Sequence, residues 1–349
     1  VTGGPDSATT LRHLAHSTVL IDAYGGRYRY HPLLREFLLE ELQAQDPQLV
    51  IGLHQRASVW YESAGDLDTA IRHAFAAGDL DRAATLLSVS FLQQFWTARH
   101  AALMAWLGQF GDEEIRRRPW LAVLAAFKEL EVGNTAAAGH YAELAERGSF
   151  HGPPPDGSVS FESERAMLRV LMARGGAEQM LTSASFAAEQ EGDGPWGPLA
   201  LWFLATARQV NGDLEVVDGI LEKAVASARA YANSGLAYSV AGHRAAVAAD
   251  LGDWAKAAAI MDDASALVGE EVKRFASAAT ACSMLVRLAM RGGDVALARR
   301  ELESMVALRP KLAGQGALAV MSLIGFARAY LACGDPAGAR AVLAQASDI

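Results

Sequence analysis

The sequence predicts an all-α fold, a superhelical solenoid of stacked helix hairpins, preceded by a small segment that carries a β-hairpin. Hydrophobic residues make up 51% of the 349 residues and charged residues 20%, so the chain has ample apolar side chain for a core. Proline, the strongest helix breaker, occurs only 11 times. A glycine-centred motif also recurs along the chain with nearly constant spacing. A fixed period of this kind is typical of arrays of helix pairs.

The N-terminal segment, residues 1–47, has a different pattern from the rest of the chain. We predict a helix at residues 8–15, followed by β-prone runs at 17–24 and 27–30. Gly25-Gly26 lies between the two runs and is typical of a hairpin turn. A helix, a β-wing and a further helix in this order indicate part of a winged-helix unit.

The further helix opens at His31-Pro32, because proline is favoured in a first helical turn. Its apolar face consists of Leu33, Leu34, Phe37, Leu38 and Leu42. From residue 1 to about residue 90 the chain resembles MalT-like regulators, the large LuxR-type transcription factors that carry a signal-transduction ATPase. The resemblance rests on residues 1–3, 28–38, 54–61, 70–74 and 77–84.

This resemblance implies a domain order. Residues 1–47 would be the C-terminal part of the winged-helix domain of the ATPase module, 48–100 a helical linker, and 101–349 a tetratricopeptide-like sensor domain. In such regulators an N-terminal ATPase binds nucleotide, helical repeats receive the signal, and a C-terminal helix-turn-helix binds DNA. The chain has no G-x-x-x-x-G-K-[ST] loop, so we expect no cofactor in this segment and ATP or ADP in a longer parent protein. We expect the chain to be the middle of such a protein.

His31 is a candidate nucleotide-sensing residue of that parent. It matches the place of the histidine in the Met-His-Asp motif of related signalling ATPases, where the histidine contacts the phosphate of bound ADP. Pro32 stands where the aspartate of that motif would be. The alternative is a histidine that only caps or packs against the wing.

The repeated motif is a glycine, then Asp or Asn, then a small residue four positions further on, and its clearest copy is Gly252-Asp253 with Ala257. Its glycines are Gly133, Gly175, Gly212, Gly252, Gly293 and Gly334, with separations of 42, 37, 40, 41 and 41 residues. Glycine adopts the left-handed conformation that ends one helix. The acidic or amide side chain then caps the next helix, and the small residue lets the two helices approach closely.

The hairpins that this motif predicts resemble tetratricopeptide repeats, in which two helices are joined by a similar turn. The period exceeds the usual length of about 34 residues in that family, so the array is better described as tetratricopeptide-like. Two proline- and glycine-rich stretches, 151–157 and 191–198, are expected to be loops between repeats.

Charge and composition limit the function of this segment. The net charge is -9 and no basic stripe is present, which disfavours direct nucleic-acid binding. The cysteines, Cys282 and Cys333, form no paired motif, as is typical of a reducing compartment. No run is long and apolar enough to suggest a membrane span. We therefore expect a cytoplasmic protein without membrane contact.

The concave groove of the predicted array supplies candidate ligand-binding residues. In tetratricopeptide hairpins the second, fifth, ninth and twelfth positions of the first helix usually line this groove, counting the turn glycine as position fifteen. The candidates at these places are Arg165, Arg169, Trp202, Thr206, Gln209, Arg287 and Arg328. Arginine clamps anions and tryptophan stacks on rings, which suggests a small metabolite. The alternative is that an aromatic residue at helical spacing, such as Trp202, belongs to the core.

Three hypotheses for function follow. The first is the regulatory region of a MalT-like regulator that binds a small-molecule effector in its groove. The second is a tetratricopeptide-like scaffold that binds a protein, a peptide or other domains of the same regulator, without a small-molecule ligand. Activation of the regulator is expected to involve oligomerisation. The third, a helical enzyme, has no support, because no nucleophile motif or histidine cluster of metal-site spacing is present. We predict neither a catalytic nor a metal site.

Overall fold

The computed structural model describes residues 7–17, 20–24, 27–95 and 100–348. The chain forms two compact units, Val1–Leu87 and Ser88–Ile349. Its first elements are α1 (Ser7–Ser17), β1 (Ile21–Tyr24), β2 (Arg27–Tyr30), α2 (Pro32–Gln45), α3 (Pro47–Ser63), α4 (Leu67–Ala76) and α5 (Leu80–Phe95).

The first unit contains the predicted helix, hairpin and helix in the predicted order. β1 and β2 pair antiparallel, with Ile21 opposite Tyr30. The predicted turn at Gly25-Gly26 lies outside the described residues. α2 begins at Pro32, as expected, and the His31 amide before it donates to the Leu20 carbonyl at 2.7 Å.

The first unit also contains two Gly-Asp turns of the repeat type, between α3 and α4 and between α4 and α5. Gly65 and Gly78 have φ values of 77° and 70°. The carboxylates of Asp66 and Asp79 then accept from backbone amides three residues further on, at 3.1 Å and 3.0 Å. The helix-pair pattern therefore starts earlier in the chain than the six predicted turns.

In the described part of the second unit, six helix hairpins form an array that follows two shorter helices. Its helices are α6 (His100–Leu107), α7 (Asp112–Arg117), α8 (Pro119–Glu131), α9 (Thr135–Arg147), α10 (Phe161–Met172), α11 (Gly176–Glu191), α12 (Gly197–Val210), α13 (Val217–Ala230), α14 (Ser234–Asp250), α15 (Trp254–Ser265), α16 (Ala279–Gly292), α17 (Val295–Leu308), α18 (Gly316–Ala332) and α19 (Pro336–Ser347). Short 3₁₀ helices also occur, at Val272–Arg274, Ala276–Ala278 and Arg309–Leu312. The hairpins run from α8/α9 to α18/α19, and the helix pairs turn at the six predicted positions.

The predicted capping is confirmed at four of these turns. The side chains of Asn134, Asp253, Asp294 and Asp335 accept from the third amide of the following helix. The small residue four positions after each cap is buried, as the motif predicts, at Ala138, Ala257, Ala298 and Ala339.

Two turns depart from the motif. Asp213 does not cap a helix; its carboxylate is bound by Arg208 at 3.0 Å, and α13 starts only at Val217. At the turn after α10 the left-handed residues are Ala173, with φ 52°, and Gly176, with φ 78°, and no side chain caps α11. Both helix pairs still form, because their packing does not depend on the cap.

The last hairpin packs against the first half of the array. α18 contacts α16 beside it and also α10 and α12, and the 3₁₀ helix Arg309–Leu312 contacts α8. The Gln315 amide nitrogen donates to the Leu130 carbonyl at 3.2 Å. Gly316 lies so close to α10 that a Cβ built on it would be 2.7 Å from the Leu171 carbonyl oxygen. The array therefore closes on itself, and α18 occupies part of the face that an open groove would present.

Candidate ligand site

A cleft of about 720 Å³ lies where α18 packs against the first half of the array. Its walls come from the α10–α11 turn, the end of α12 and the first half of α18. The large apolar side chains that line it are Met172, Met180, Val210, Val320, Met321 and Ile324. The volume lies within the range of about 300–1,000 Å³ that is usual for small-molecule sites.

A second cleft of about 480 Å³ adjoins the first, between α9, α10 and α11. The two clefts share Met172, Ala173 and Met180 as a common wall. The second cleft is more polar, because Glu146 and Arg169 form part of its lining. Together they offer an apolar and a charged compartment side by side.

The predicted arginines of α10 are held by carboxylates. Arg169 donates to both carboxylate oxygens of Glu146 at 2.6 Å and to Glu162 at 2.7 Å. The hydrogen bonds that Arg169 donates to Glu146 raise the pKa of its guanidinium above the ordinary value. Arg165 pairs with the same Glu162 and lies over the Phe161 ring, 5.0 Å from its centroid. Both guanidinium groups thus already have anionic partners within the protein.

The predicted residues of α12 lie mostly in the core. The Trp202 side chain is 3% exposed, and Thr206 is fully buried, with its hydroxyl donating to the Trp202 carbonyl at 2.9 Å. The Trp202 indole N–H donates to His243 Nδ1 at 3.0 Å, and His243 Nε2 lies 2.5 Å from Gln209 Oε1. Gln209 lies in the wall of the 720 Å³ cleft, one turn of helix beyond the buried pair.

The two later arginines converge on one carboxylate at the end of α14. Arg328 Nη1 lies 2.6 Å from Asp250 Oδ2, and Arg287 Nη2 lies 3.7 Å from Asp250 Oδ1. Arg287 is only 8% exposed and lies over the Trp254 ring at 5.0 Å. Burial lowers the pKa of Arg287 from its ordinary value, and Asp250 opposes that change.

The seven predicted residues therefore form three separate clusters, on α10, on α12 and around Asp250. Arg169 lines the 480 Å³ cleft and Gln209 the 720 Å³ cleft. Ligand binding by these residues stays a prediction. The α18 part of the cleft was missed because its contact with α10 joins residues about 145 positions apart, for example Gly316 and Leu171, and no local pattern signals it.

Two histidines that are 19 residues apart in the sequence pair in the structure. His54 and His73 lie with their Nδ1 atoms 2.8 Å apart, and Tyr61 stacks on His73. Burial lowers the pKa of both imidazoles. Among the described residues, no group of three His, Cys, Asp or Glu side chains is placed to hold a metal ion. In the same part of the chain, no helix has the length and apolar character needed to cross a bilayer.

Comparison with known proteins finds similarity in separate parts of the chain. Residues 1–50 match the MalT winged helix domain, and residues 239–263 and 321–345 match the tetratricopeptide repeat. Over 131 residues, 36% of this chain, it is 30% identical to the HTH-type transcriptional regulator MalT of Vibrio cholerae serotype O1. The N-terminal part of the chain is similar to the MalT winged helix domain. The match to the Vibrio cholerae regulator covers 14% of that relative's length.

Other comparisons match a smaller part of the chain or have low sequence identity. The chain is 40% identical over 60 residues to the serine/threonine-protein kinase PknK of Mycobacterium tuberculosis, which is 17% of this chain and 5% of the kinase. A Rap protein complexed with competence and sporulation factor is 12% identical, with a TM-score of 0.49, over 91% of this chain and 80% of that one. A signal transduction ATPase with a tetratricopeptide repeat sensor from Pyrococcus horikoshii is 15% identical, with a TM-score of 0.46, over 94% and 56%.

Proposed function

We propose that this chain is the sensor region of a MalT-like transcriptional regulator and that its effector is a small molecule bound in the 720 Å³ cleft. The observation that carries the proposal is the position of the cleft at the closure of the array. Its walls belong to α10, α11 and α12 on one side and to α18 on the other. An occupant would therefore contact both halves of the array at once.

Because of this position, a ligand in the cleft would control the conformation of the array. A ligand shifts a conformational equilibrium only when it binds the two states with different affinity. A molecule in this cleft would bind differently to arrays in which α18 lies close to α10 and arrays in which it has moved away. Effector binding would thereby change the contact between the two halves. Nucleotide sensing by His31, with ATP or ADP, belongs in this proposal to the longer regulator.

A peptide or another domain of the regulator is the second candidate occupant. Its support is the class of fold, since tetratricopeptide-like arrays present helix faces to such partners. An extended peptide needs a continuous trough. In this chain α18 fills the inner face beside α10 and α12, and Trp202 and Thr206 are buried there. These contacts favour the small molecule.

A cleft-filling variant and a matched control test the proposal. Val210 and Val216 are both 44% exposed, but only Val210 lines the cleft. A thermal-shift screen of metabolites on the wild-type chain should give binders that raise the melting temperature, because a ligand of the native state stabilises it. Val210→Trp should abolish the shift, and Val216→Trp should preserve it.

A second measurement tests the link between binding and closure. Spin labels on α9 and α19 would report the distance between the two halves by pulsed electron resonance. A binder found in the screen should change that distance in the wild-type chain and in Val216→Trp. Binders whose shift survives in Val210→Trp, or whose binding leaves the distance unaltered, would contradict the proposal.

A further inference from the structure

A chain of buried hydrogen bonds fixes the orientation of the one amide side chain in the cleft wall. Indole N–H is a donor only, so the nitrogen it meets, His243 Nδ1, must be the acceptor. His243 is 1% exposed, and burial lowers its pKa to about 3, so the ring is neutral at physiological pH. A neutral imidazole has one N–H. The proton therefore resides on Nε2.

The second bond of the chain then follows. His243 Nε2–H donates to the oxygen of Gln209, 2.5 Å away, so that oxygen faces the interior. The amide nitrogen of Gln209 is directed away from His243. In the part of the chain that the structure describes, this nitrogen has no protein acceptor. Because Gln209 lines the cleft, Trp202 and His243 together present its two N–H donors to an occupant.

Apart from Gln209, Thr135 and Asp348, the lining consists of apolar residues and glycine. Methionine, valine, isoleucine and alanine side chains supply most of the wall, and neither lysine nor arginine contributes to it. The charged residue of the lining, Asp348, is exposed and next to the end of the chain. An anionic ligand would find no cation there and would face this carboxylate. Methionines adapt to irregular apolar shapes at little cost.

We infer that the cleft takes a neutral, mainly apolar molecule with a hydrogen-bond acceptor, such as a ketone or ester carbonyl, that accepts from Gln209 Nε2. The inference rests on the proposed function and names its ligand class. Gln209 contacts the ligand, and Trp202 and His243 are positioning residues that act through it. The apolar wall supplies affinity, and the amide selects the acceptor.

The probe for this inference is prodan, a neutral naphthalene that carries a ketone and fluoresces according to the polarity around it. Its comparison is 2-dimethylaminonaphthalene, the same ring system without the ketone. Wild-type chain should bind both, prodan more tightly. Anilinonaphthalene sulfonate, which is anionic, should not displace prodan at equal concentration. Val210→Trp should lose prodan, and Val216→Trp should keep it.

Two substitutions at Gln209 measure the role of the amide. A net hydrogen bond of about 1.4 kcal/mol corresponds to a tenfold change, so Gln209→Met should weaken prodan binding about tenfold and leave the comparison ring within about twofold. Gln209→Glu keeps an oxygen for His243 and replaces the donor by an acceptor. It should weaken prodan binding at least as much as Gln209→Met does. Because Gln209→Glu retains an acceptor for His243, this result would assign the loss to the cleft-facing donor.

Trp202→Phe tests the positioning chain. It removes the donor to His243 Nδ1, so the tautomer of His243 is no longer fixed. The preference for prodan over the ketone-free ring should therefore fall several-fold. A purely structural loss would weaken both ligands equally, which would overturn the positioning role. If Gln209→Met kept the preference for prodan over the ketone-free ring, the inferred acceptor contact would be refuted. The proposal that the cleft binds a ligand would not be affected. Equal prodan binding by Val210→Trp would refute the cleft and the proposed function. An absence of prodan binding by wild-type chain would refute the ligand class.

Discussion

The buried carboxyl group of Glu131 predicts that the array loses stability as the pH rises towards 8. Glu131 ends α8 at the closure, is 6% exposed and accepts from the Ala276 amide. Burial raises its pKa to about 8, against the opposing effects of that hydrogen bond and of Lys311. The closed array is therefore more stable when Glu131 is protonated.

The sign and size of the effect follow from the pKa values in the two states. Between pH 4.5, the ordinary pKa of a glutamate, and about pH 8, the folded chain holds a proton that the unfolded chain releases. Stability therefore falls as the pH rises through this window, by about 1.4 kcal/mol per pH unit. From pH 6 to pH 8 the loss amounts to about 2 kcal/mol, because the slope decreases as the folded-state pKa is approached.

Glu131→Gln isolates this contribution, because its amide oxygen still accepts from Ala276 and it cannot ionise. Urea unfolding from pH 5 to pH 8.5, followed by circular dichroism, should give nearly equal stabilities for variant and wild type at pH 5. At pH 8 the variant should be more stable by about 3–5 kcal/mol. Glu131→Leu, which leaves the amide of Ala276 unpaired, should lose about 1–3 kcal/mol at pH 5. Parallel pH profiles for wild type and Glu131→Gln would refute the reasoning.

Three further predictions concern closure, capping and the histidine pair. Gly316→Ala should destabilise the chain by about 2 kcal/mol in urea unfolding, because φ is 49° there and a Cβ would lie 2.7 Å from a carbonyl oxygen. The control Gly219→Ala should stabilise the chain by about 0.5–1 kcal/mol, because the space around Gly219 is open. Asp253→Ala should lose about 1 kcal/mol, measured as a lower urea midpoint, because the cap of α15 is removed. Burial lowers the pKa of His54 and His73, so their contribution to stability should be lost as the pH falls below 6.5, and a His73→Gln variant should show a smaller acid loss by urea unfolding.

The architecture could be predicted because its signals are local. A glycine with positive φ followed by a capping aspartate, as at Gly252-Asp253, specifies a turn within six residues of chain. The β-hairpin of the first unit is equally local. Where one signal failed, as at Asp213, the helix pair formed with a later start, since stacking against neighbouring hairpins supplies most of the helical stability.

The candidate site could be predicted only in part, because it depends on contacts between distant repeats. Counting positions along α12 placed Trp202 and Gln209 on one helix face, and the structure separates them into a buried donor and a cleft residue. What divides them is His243, which lies 41 residues from Trp202 and bonds both. The helical period predicts which residues share a face of a helix. It does not predict which part of that face is covered by a helix from a later repeat.

The closure and the cleft depend on the same short stretch of chain, which gives the proposed sensor a direct route from ligand to fold. Gln315 donates to Leu130 across the closure, and Gly314 and Gly316 on either side of it line the cleft. A ligand that contacts this stretch would directly alter the hydrogen bond between Gln315 and Leu130. The buried Glu131 follows Leu130 directly and bonds Ala276. Effector binding and the ionisation of Glu131 should therefore be coupled, so that a cleft ligand shifts the pH dependence of stability in wild type and not in Glu131→Gln.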